Sequence, residues 1–394
     1  MKPVTRRSFA AAALAAPLAR SANSRIGLGV IGTGGRGNAH FRDLARLKDL
    51  NFAIQGVCDV WTPAREAAAE TVRKEWGNAP RATSDYREML AWPEIDAVII
   101  ASPDHTHSVM LKHAVEAGKD VYCEKPMGTV FREAKDAYLA VKKSRQVVQI
   151  GTQRRSEGDY VAAAKLVQSG ILGEITRINV SVNFQEPRWR RDSSRVRQED
   201  VDWKRFVMHR PARAYDARLL REWQLFSYNT NGIAGLWMSH FTDVVHWFTG
   251  DPYPDSAAAN GGVFLWKDGR ETSDVFEAVL TYPKGFLFTF AMSLTNEAGN
   301  VNMWHGTRGT LDMDRLVLSG AGSKRPDRIA REIKIQPETI SSHMHDFIEC
   351  VRGRGTPRAD IQAGFSHAVA GTMASTALAE GRRIRFDRQR LEMI

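Results

Sequence analysis

A glycine-rich turn between an apolar run and a helical pattern is the first feature that could do chemistry. Gly32-Thr33-Gly34-Gly35-Arg36-Gly37 has the spacing GxGxxG and directly follows Ile26–Ile31. Gly32 permits a tight turn, Gly34 lets backbone N–H groups approach a pyrophosphate, and Gly37 lets helix and strand pack closely. We expect the loop, Gly35 and Arg36 included, to bind a dinucleotide. The alternative is an ordinary glycine turn.

Asp59 supports the dinucleotide interpretation. It ends the second apolar run, 22 residues beyond Gly37. A carboxylate at that position can accept hydrogen bonds from ribose hydroxyls and would repel a 2′-phosphate. We therefore expect NAD as the cofactor, with NADP possible because Arg36 or Arg65 could soften the preference. The alternative is a helix-capping Asp.

A second polar segment follows the next long apolar run. The residues Ser102 to His107 come directly after Ala97–Ile100, and ligands of open α/β sheets bind at the carboxyl ends of the strands. We expect Ser102, Asp104 and His105 to contact the cofactor. The alternative is structural, because Asp104 could cap the next helix and His105 could pack in the core.

A third polar segment, Glu124-Lys125-Pro126, closes the following strand at the same edge of the sheet. We expect Glu124 and Lys125 to line the cofactor site. The ammonium group of Lys125 is also a candidate catalytic group, because it could polarise the hydroxyl oxygen whose carbon loses hydride. A lowered pKa would let it join proton transfer. The alternative is a surface lysine after a strand.

Two kinds of pattern must position these groups. From Arg25 to Ile150, short β-branched runs alternate with helical segments, which indicates a parallel sheet covered on both faces. After Gly151, long runs alternate with period two, which indicates a mostly antiparallel open sheet. The predicted fold is an α/β Rossmann domain, residues 22–150, followed by an α+β substrate-binding domain, residues 151–394. Between Pro187 and Trp223 we expect a long irregular excursion.

Punctuating residues predict several boundaries. The helix after the second strand should take Thr62 as its N-cap and end before Gly77. Further predicted helices are His107–Ala117, Phe131–Lys143, Tyr160–Ser169 and Ala359–Gly381. Long predicted strands are Ile175–Phe184, Ser273–Tyr282 and Phe286–Leu294.

Together these motifs resemble the Gfo/Idh/MocA family, named for glucose-fructose oxidoreductase, inositol dehydrogenase and a rhizopine-catabolism enzyme. The resemblance runs from about Arg25 to the end of the chain. It is carried by the glycine loop, Cys58-Asp59-Val60, Pro103-Asp104-His105, Glu124-Lys125-Pro126-Met127, Gly151-Thr152-Gln153-Arg154, Val201-Asp202-Trp203 and Trp237–Trp247. It implies that Lys125 touches the reacting hydroxyl. It also implies that His240, in a segment resembling DxGxHxxD, is the acid/base, with Asp243 as the following acidic residue.

The residues around His240 agree with that assignment in part. His240 and Asp243 lie one helical turn apart, and an imidazole suits the acceptance of a hydroxyl proton near neutral pH. The first acidic residue of the family segment is replaced by Leu236, and its glycine by Met238. This departure leaves room for a variant substrate or reaction. The alternative for His240 is a packed, noncatalytic side chain.

The first residues predict export. Thr5-Arg6-Arg7-Ser8-Phe9 precedes an alanine-rich stretch and a small-x-small site, so residues 1–21 resemble a twin-arginine signal peptide. The apolar stretch is shorter than the roughly 20 residues that a membrane span needs. We expect a periplasmic protein without a membrane span. The alternative is a basic cytoplasmic tail.

Charge limits the expected partners. The formal net charge is +10, and loss of the four basic residues of the signal peptide would lower it by 4 to +6. Such a balance, without an aromatic-interleaved basic stripe, is not typical of nucleic-acid binding. We expect a small carbohydrate substrate, no nucleic acid, no metal and a homo-oligomer. The pair His343 and His345, with Asp346, lacks a further ligand cluster nearby.

Export and a dinucleotide site together favour a cofactor that is loaded before export and retained. A retained cofactor must be regenerated on the enzyme. Our first hypothesis is net redox chemistry, in which one sugar is oxidised and another is reduced. The second is a glycoside hydrolase or lyase that oxidises a sugar transiently, eliminates the aglycone and reduces the sugar again. A non-catalytic sugar-binding protein is the third, because a fold does not choose among functions.

Overall fold

Two β-sheets organise residues 25–394, the part of the chain that this computed structural model describes. The predicted signal peptide, residues 1–21, lies outside the described residues. The first sheet consists of β1 (Ile26–Ile31), β2 (Phe52–Cys58), β3 (Arg81–Thr83), β4 (Ala97–Ile100), β5 (Asp120–Cys123) and β6 (Val148–Ile150). Its helices are α1 (Gly35–Ala45), α2 (Thr62–Trp76), α3 (Tyr86–Leu90), α4 (His107–Glu116) and α5 (Phe131–Lys142).

The first sheet is parallel throughout, in the order β3-β2-β1-β4-β5-β6. β1, β4 and β5 are buried along their whole length, because helices cover both faces of the sheet. The strand order reverses between β1 and β4, and a crevice opens there at the carboxyl ends of the strands. This confirms the predicted Rossmann domain.

The second sheet is longer and mostly antiparallel, as predicted. It consists of β7 (Ile175–Asn183), β8 (Ser256–Gly262), β9 (Val275–Tyr282), β10 (Phe286–Ser293), β11 (Val301–Gly306), β12 (Gly309–Asp312), β13 (Val317–Ser319), β14 (Ile333–Lys334), β15 (Ile384–Asp387) and β16 (Glu392–Met393). The strands follow the order β14-β13-β12-β11-β7-β10-β9-β8-β15-β16, and only the central pair β7 and β10 is parallel within this described sheet. The later helices are α6 (Gly158–Gln168), α7 (Trp203–Val207), α8 (Ala217–Arg221), α9 (Ser239–Thr249), α10 (His343–Gly353) and α11 (Ile361–Glu380).

Helices α9 and α11 pack on one face of the second sheet, in a shared apolar core. Phe276, Ala278 and Leu280 of β9 point into that core, whereas Val279 between them is exposed. The alternation explains why β9 and β10 could be predicted from period two. β8 was not predicted, because its sequence Ser-Ala-Ala-Ala-Asn-Gly-Gly has no such alternation.

Most predicted helix ends shift by one or two residues, and two of the shifts occur at helix starts where capping matters. Trp61, not Thr62, is the N-cap of α2, and Thr62 is the first helical residue. The carboxylate of Asp59 accepts the backbone N–H of Trp61 just before the helix, and no side chain caps the first turn of α2. The terminal helix begins at Ile361 rather than Ala359, because the side chain of Asp360 caps it.

Helix α10 completes the core of the first domain, although it lies late in the chain. Met344, Phe347 and Ile348 are buried in one cluster with the apolar side chains of β1, β2 and α2. The ring of Phe347 lies 5.7 Å from that of Tyr122 on β5, in an edge-to-face arrangement. The chain therefore returns to the Rossmann domain after building the second sheet.

This packing predicts a large effect of truncating Phe347, which is 0% exposed. Phe347→Ala should lower the free energy of unfolding by about 3–5 kcal/mol, because a cavity replaces buried ring contacts. Chemical denaturation followed by circular dichroism measures the change. Glu349→Ala on the exposed side of α10 is the control and should have little effect. Equal stability of the two variants would contradict the packing role of α10.

Candidate active site

A cleft of about 530 Å³ lies between the two domains at the carboxyl edge of the first sheet. Most of the predicted site residues line it: Gly32, Gly34, Gly35, Arg36, Asp59, Ser102, Asp104, Glu124, Lys125 and His240. Gly37, His105 and Asp243 do not line it. The structure thus gathers the predicted groups of four strand ends and of helix α9 around one cavity.

The glycine loop provides space and free backbone donors. Gly32 has a φ of 83°, and a Cβ there would fall 2.5 Å from the backbone nitrogen of Ser102. A Cβ on Gly37 would fall 2.1 Å from the carbonyl oxygen of Gly32, so this glycine serves packing. At Gly34 and Gly35 a Cβ would meet no atom within 4 Å. Helix α1 begins there without a side-chain cap, which leaves a cradle that suits the pyrophosphate of a dinucleotide.

Asp59 is held at the end of β2 by three hydrogen bonds. Its Oδ2 accepts the backbone N–H and the hydroxyl of Thr33, at 2.8 and 3.0 Å, and its Oδ1 accepts the N–H of Trp61 at 2.9 Å. Burial raises the pKa of Asp59, and these hydrogen bonds oppose the rise. Arg65 does not pair with this carboxylate; it donates to the backbone carbonyl of Asp59 and to Thr62 Oγ1. The carboxylate therefore remains a fixed acceptor beside the cleft.

Glu124 is the centre of a buried polar network. Its Oε1 accepts hydrogen bonds from Arg36 Nε at 2.7 Å, His40 Nε2 at 3.0 Å and Gln153 Nε2 at 3.0 Å. Burial acts to raise the pKa of Glu124, but the bond from His40 and the charge of Arg36 outweigh it and hold the pKa well below its usual range. Gly151 must lack a side chain, because a Cβ would lie 2.6 Å from Glu124 Oε2. Glu124 thus fixes the glycine loop rather than offering a free carboxylate.

Lys125 and His240 approach the cleft from opposite domains. Lys125 Nζ donates to the backbone carbonyl of Leu236 at 2.7 Å, so the lysine reaches the segment that precedes His240. That segment, Ala234–Met238, is a π-helical turn that leads into α9. Burial lowers the pKa of Lys125, and the charges of Asp104 and Glu124 oppose that shift. The hydrogen bond to Leu236 places the ammonium group of Lys125 at the boundary of the two domains.

The imidazole of His240 is neutral at neutral pH. Burial lowers its pKa well below the usual value of 6.5, and the positive charges of Lys125 and Arg154 lower it further. Its ring faces Trp237, with 6.4 Å between the ring centroids. A neutral imidazole in a cleft can accept a proton, which is what hydroxyl oxidation requires.

The two remaining predicted polar residues lie in structural contacts. Asp243 is buried and binds the guanidinium group of Arg155 in bidentate fashion, with N–O distances of 2.9 Å. His105 is buried against the ring of Phe206, and its Nε2 donates to the backbone carbonyl of Phe206 at 3.0 Å. Burial lowers the pKa of His105 to about 3. His105 therefore packs in the core, which was the alternative to contact with the cofactor.

The excursion after β7 contributes residues that sequence reasoning did not assign. The backbone N–H of Asp202 donates to the carbonyl of Val60 at 2.9 Å, and Ser84 Oγ donates to the Asp202 carboxylate at 3.2 Å. Arg205 forms an ion pair with Asp85 at 3.1 Å. These contacts fasten residues 201–206 over the end of the cleft that contains Asp59. The excursion, which has no periodicity, gave no signal for this placement.

Two tryptophans of the excursion, Trp189 and Trp223, line the cleft. Trp203 does not, because its ring stacks on Phe206 at 4.9 Å and its Nε1 donates to the carbonyl of Arg213. Among the arginines between 188 and 197, Arg191 reaches the cleft. The substrate end is therefore partly aromatic.

Of the histidine pair His343 and His345, the ring of His343 lies in two hydrogen bonds. His343 Nδ1 lies 2.8 Å from Ser156 Oγ, and its Nε2 lies 2.9 Å from the carbonyl oxygen of Ile150. Within residues 25–394, no group of three His, Cys, Asp or Glu residues is arranged to hold a metal ion. The helices of that same range include none that is both long and apolar enough to cross a bilayer.

The fold and cleft define an oxidoreductase with an NAD-binding Rossmann domain and a second α/β domain. Residues 26–152 match the family model described as oxidoreductase family, NAD-binding Rossmann fold, and residues 164–386 match the model of its C-terminal alpha/beta domain. The chain therefore belongs to the Gfo/Idh/MocA family.

Relatives of known name fall among sugar and inositol dehydrogenases. Inositol 2-dehydrogenase 1 of Saccharopolyspora erythraea is 31% identical over 189 residues, which cover 45% of this chain and 53% of that protein. Levoglucosan dehydrogenase of Pseudarthrobacter phenanthrenivorans is 31% identical over 156 residues, which cover 38% of this chain and 39% of that protein. The matches span about half or less of these relatives' lengths.

Solved structures share the whole two-domain fold. The WlbA dehydrogenase from Bordetella pertussis, in complex with NADH and UDP-GlcNAcA, has a TM-score of 0.69 and 21% sequence identity. The match covers 92% of this chain and 99% of that chain. A levoglucosan dehydrogenase in complex with NADH and levoglucosan has a TM-score of 0.68, with 19% identity and 92% of this chain covered. At this identity the likeness shows the fold.

The network around Glu124 predicts weaker cofactor binding when its charge is removed. Glu124→Gln should raise the Kd for NAD about tenfold or more, because Arg36 and the buried His40 lose their charged acceptor and the glycine loop shifts. Isothermal titration with NAD measures this change. Glu94→Gln, which removes an ion pair with Arg81 outside the cleft, should leave the Kd unchanged. An unaltered Kd in a folded Glu124→Gln protein would show that the loop does not need this carboxylate.

Proposed function

We propose that this protein transfers hydride between a tightly held nicotinamide cofactor and a hydroxyl of a sugar or sugar derivative. The observation that carries the proposal is the shared position of Lys125 and His240 in one cleft with the glycine loop and Asp59. The lysine supplies a cation and the histidine supplies a neutral base. A hydroxyl that lies between these two groups can be oxidised without a metal ligand.

Each side chain has a separate task in this reaction. The Lys125 ammonium group donates a hydrogen bond to the hydroxyl oxygen, which stabilises the negative charge that develops there. His240 accepts the hydroxyl proton as the electron pair of the C–H bond leaves with hydrogen. NAD, when bound, supplies the hydride acceptor. In the reverse direction His240 returns the proton to the oxygen of the carbonyl group, and Lys125 polarises that carbonyl.

The substrate class follows from the lining and from the relatives. Trp189 and Trp223 offer flat apolar faces, and Gln224 offers a buried amide whose oxygen has no protein partner among the described residues. Such a mixture suits polyhydroxylated rings, which present C–H faces and hydroxyl groups. Dehydrogenases for inositol and levoglucosan are among the relatives. We favour NAD over NADP because the Asp59 carboxylate would repel a 2′-phosphate.

Retention of the cofactor is part of the proposal. The segment 201–206 fastens the second domain to the loops after β2 and β3, and Arg205 and Phe206 line the cleft beside Asp59. A dinucleotide seated at Asp59 would leave only after these contacts had opened. Slow release of this kind suits an enzyme that regenerates NAD on the spot by reducing a second sugar.

A cofactor and substrate assay tests the function. The protein is purified without added nucleotide, and its NAD content is measured after denaturation. The absorbance of the reduced nicotinamide is then followed while a panel of sugars and aryl glycosides is added. Absorbance change with a sugar supports net redox chemistry. Aglycone release without a net change would replace it with the transient-oxidation hydrolase or lyase. A protein that binds sugars and produces neither signal would overturn the enzymatic proposal.

The proposed base makes a specific prediction. His240→Gln should lower kcat by about 10²–10⁴-fold while the NAD affinity stays unchanged, because proton transfer is lost and the glycine loop is intact. In the unaltered protein His240 itself should set no acid limit of the rate near pH 6.5, since its depressed pKa keeps the imidazole neutral there. Stopped-flow hydride transfer across pH measures both effects. His305→Gln, on β11 and outside the cleft, is the matched control; an equal rate in the two variants would remove His240 from the mechanism.

We also propose that the protein is exported to the periplasm through the twin-arginine pathway. The proposal rests on the pattern Thr5-Arg6-Arg7-Ser8-Phe9 and the alanine-rich stretch that follows. Fractionation of cells that produce the full chain should find it in the periplasm, and the double substitution Arg6→Lys, Arg7→Lys should hold it in the cytoplasm. Equal cytoplasmic retention of both chains would refute export. The homo-oligomer stays a prediction, which sedimentation velocity can measure.

A further inference from the structure

The Lys125 ammonium group is a buried charge that needs a counter-ion. The two anions that act most strongly on it among the described residues are Asp104 and Glu124. The titratable and charged groups that interact electrostatically with it come from six elements: Glu124 beside it on the loop after β5, Asp104 after β4, Arg36 on α1, Arg154 after β6, His240 on α9 and His367 on α11. His107, the first residue of α4, acts on Asp104. The surroundings of Lys125 are otherwise neutral or positive, so the two carboxylates decide its charge state.

Glu124 already accepts hydrogen bonds from other side chains. Its Oε1 accepts Arg36, His40 and Gln153, and its Oε2 accepts the backbone N–H of Lys125 at 3.2 Å. The negative charge of Glu124 is therefore balanced mainly by Arg36, which leaves less of its attraction for Lys125. This leaves Asp104 as the carboxylate that can serve Lys125.

Asp104 has the position and a free acceptor oxygen with which to pair with Lys125. It is 2% exposed and lines the same cleft as Lys125 and His240. Its Oδ2 accepts the hydroxyl of Thr230 from the second domain at 2.7 Å. Within residues 25–394, the Oδ1 atom has no hydrogen-bond donor, although it is not sealed from the cleft. One oxygen is thus oriented by Thr230 and the other is open to the site.

The neighbouring backbone locates Asp104 beside the lysine contact. A Cβ on Gly235 would lie 3.8 Å from Asp104 Oδ2 and 3.2 Å from the ring of Pro126. Gly235 immediately precedes Leu236, whose carbonyl oxygen accepts Lys125 Nζ. Asp104 therefore flanks the point at which Lys125 crosses to the second domain. Leu236 itself presents an apolar side chain to the cleft and cannot neutralise the ammonium group.

We propose that Asp104 is the positioning residue for Lys125, supplying from the Rossmann domain the carboxylate that keeps the ammonium group charged and directed at the substrate hydroxyl. This inference rests on the proposed hydride-transfer function, in which a charged Lys125 donates to the hydroxyl oxygen. It assigns to Asp104 a task beyond contact with the cofactor. Thr230 holds the carboxylate in place and so couples the two domains at the reacting centre.

The titration of Asp104 gives the device a pH range. Burial raises the pKa of Asp104 to about 6, while His107, Lys125 and the Thr230 hydrogen bond oppose the rise. Above that pH the carboxylate is an anion and supports the charge of Lys125. As the pH falls through that value, Asp104 takes up a proton and its support is lost. At high pH the limit is instead the pKa of Lys125, above which the amine no longer donates as a cation.

Asp104→Asn tests the proposal without any need for turnover. The reactivity of Lys125 toward acetic anhydride, read by peptide mass spectrometry across pH, reports the pKa of the amine. Loss of the carboxylate should move that pKa down by about one unit or more, because burial then acts with less opposition. The alkaline limit of kcat should move down equally. Thr230→Ser keeps the hydroxyl donor and should leave both pH profiles in place.

A second substitution keeps the test decisive if Asp104→Asn merely disturbs the cleft. In the Asp104→Asn background, Leu236→Asp places a carboxylate on the residue whose carbonyl already holds Lys125, and should restore the alkaline limit. In the unaltered background, Leu236→Asp should bring no gain, because two buried carboxylates then compete for one ammonium group. An unchanged Lys125 labelling profile in Asp104→Asn, or no recovery in the double variant, would overturn the proposal.

The two proposals fail differently. If the unaltered protein transfers no hydride to any substrate, the proposed function fails, yet the labelling profile of Lys125 still reports whether Asp104 supports its charge. If hydride transfer occurs and Asp104→Asn shifts neither profile, the function stands and the role of Asp104 falls.

Discussion

The site depends on one buried anion, the carboxylate of Glu124. A lone carboxylate in that position would be costly, and the structure meets the cost with three donor side chains from two segments. Arg36 and His40 come from helix α1, which begins in the glycine loop, and Gln153 comes from the segment after β6. All three side chains donate hydrogen bonds to one atom, Oε1 of Glu124, so this oxygen fixes where the segments lie relative to one another. The glycine loop can then remain free of side chains where the pyrophosphate must lie.

A second constraint links that half of the site to the other domain. Lys125 is the residue next to Glu124, and its ammonium group donates across the cleft to the carbonyl of Leu236. The π-helical turn that carries this carbonyl leads directly into α9 and His240. A shift of the turn would therefore change the distance between the proposed acid and base groups. Arg155 and Asp243, buried behind His240, anchor the same helix from the far side.

Local chemistry explains which parts could be predicted from the sequence. The glycine loop, Asp59 and the strand-end segments follow from strand and turn signals within a few dozen residues, and all of them reach the cleft except Gly37 and His105. The contact of His105 with Phe206 could not be predicted, because a histidine beside a strand end looks the same whether it faces a ligand or a residue about a hundred positions away along the chain. The pairing of Lys125 with His240 needed the family resemblance, since no local pattern joins them.

Two other features had no local signal at all. Asp243 pairs with Arg155 across 88 positions, so only the folded chain distinguishes a catalytic acid from a helix anchor. The excursion between Pro187 and Trp223 lacks periodicity, and its attachment over Asp59 depends on contacts with loops of the other domain. By contrast, the Rossmann fold could be predicted, because the buried strands β1, β4 and β5 are bounded by clear turn residues. The observed strand order confirms it.

The late position of α10 has a consequence for how the protein comes into being. The core of the nucleotide-binding half is finished by Met344, Phe347 and Val351, which the ribosome adds after the entire second sheet has been made except its last two edge strands. A nascent chain that has emerged only as far as β6 has its glycine turn but lacks one wall of the core beneath it. We therefore expect the nucleotide-binding half to reach its full stability only after α10 has been made, late in synthesis.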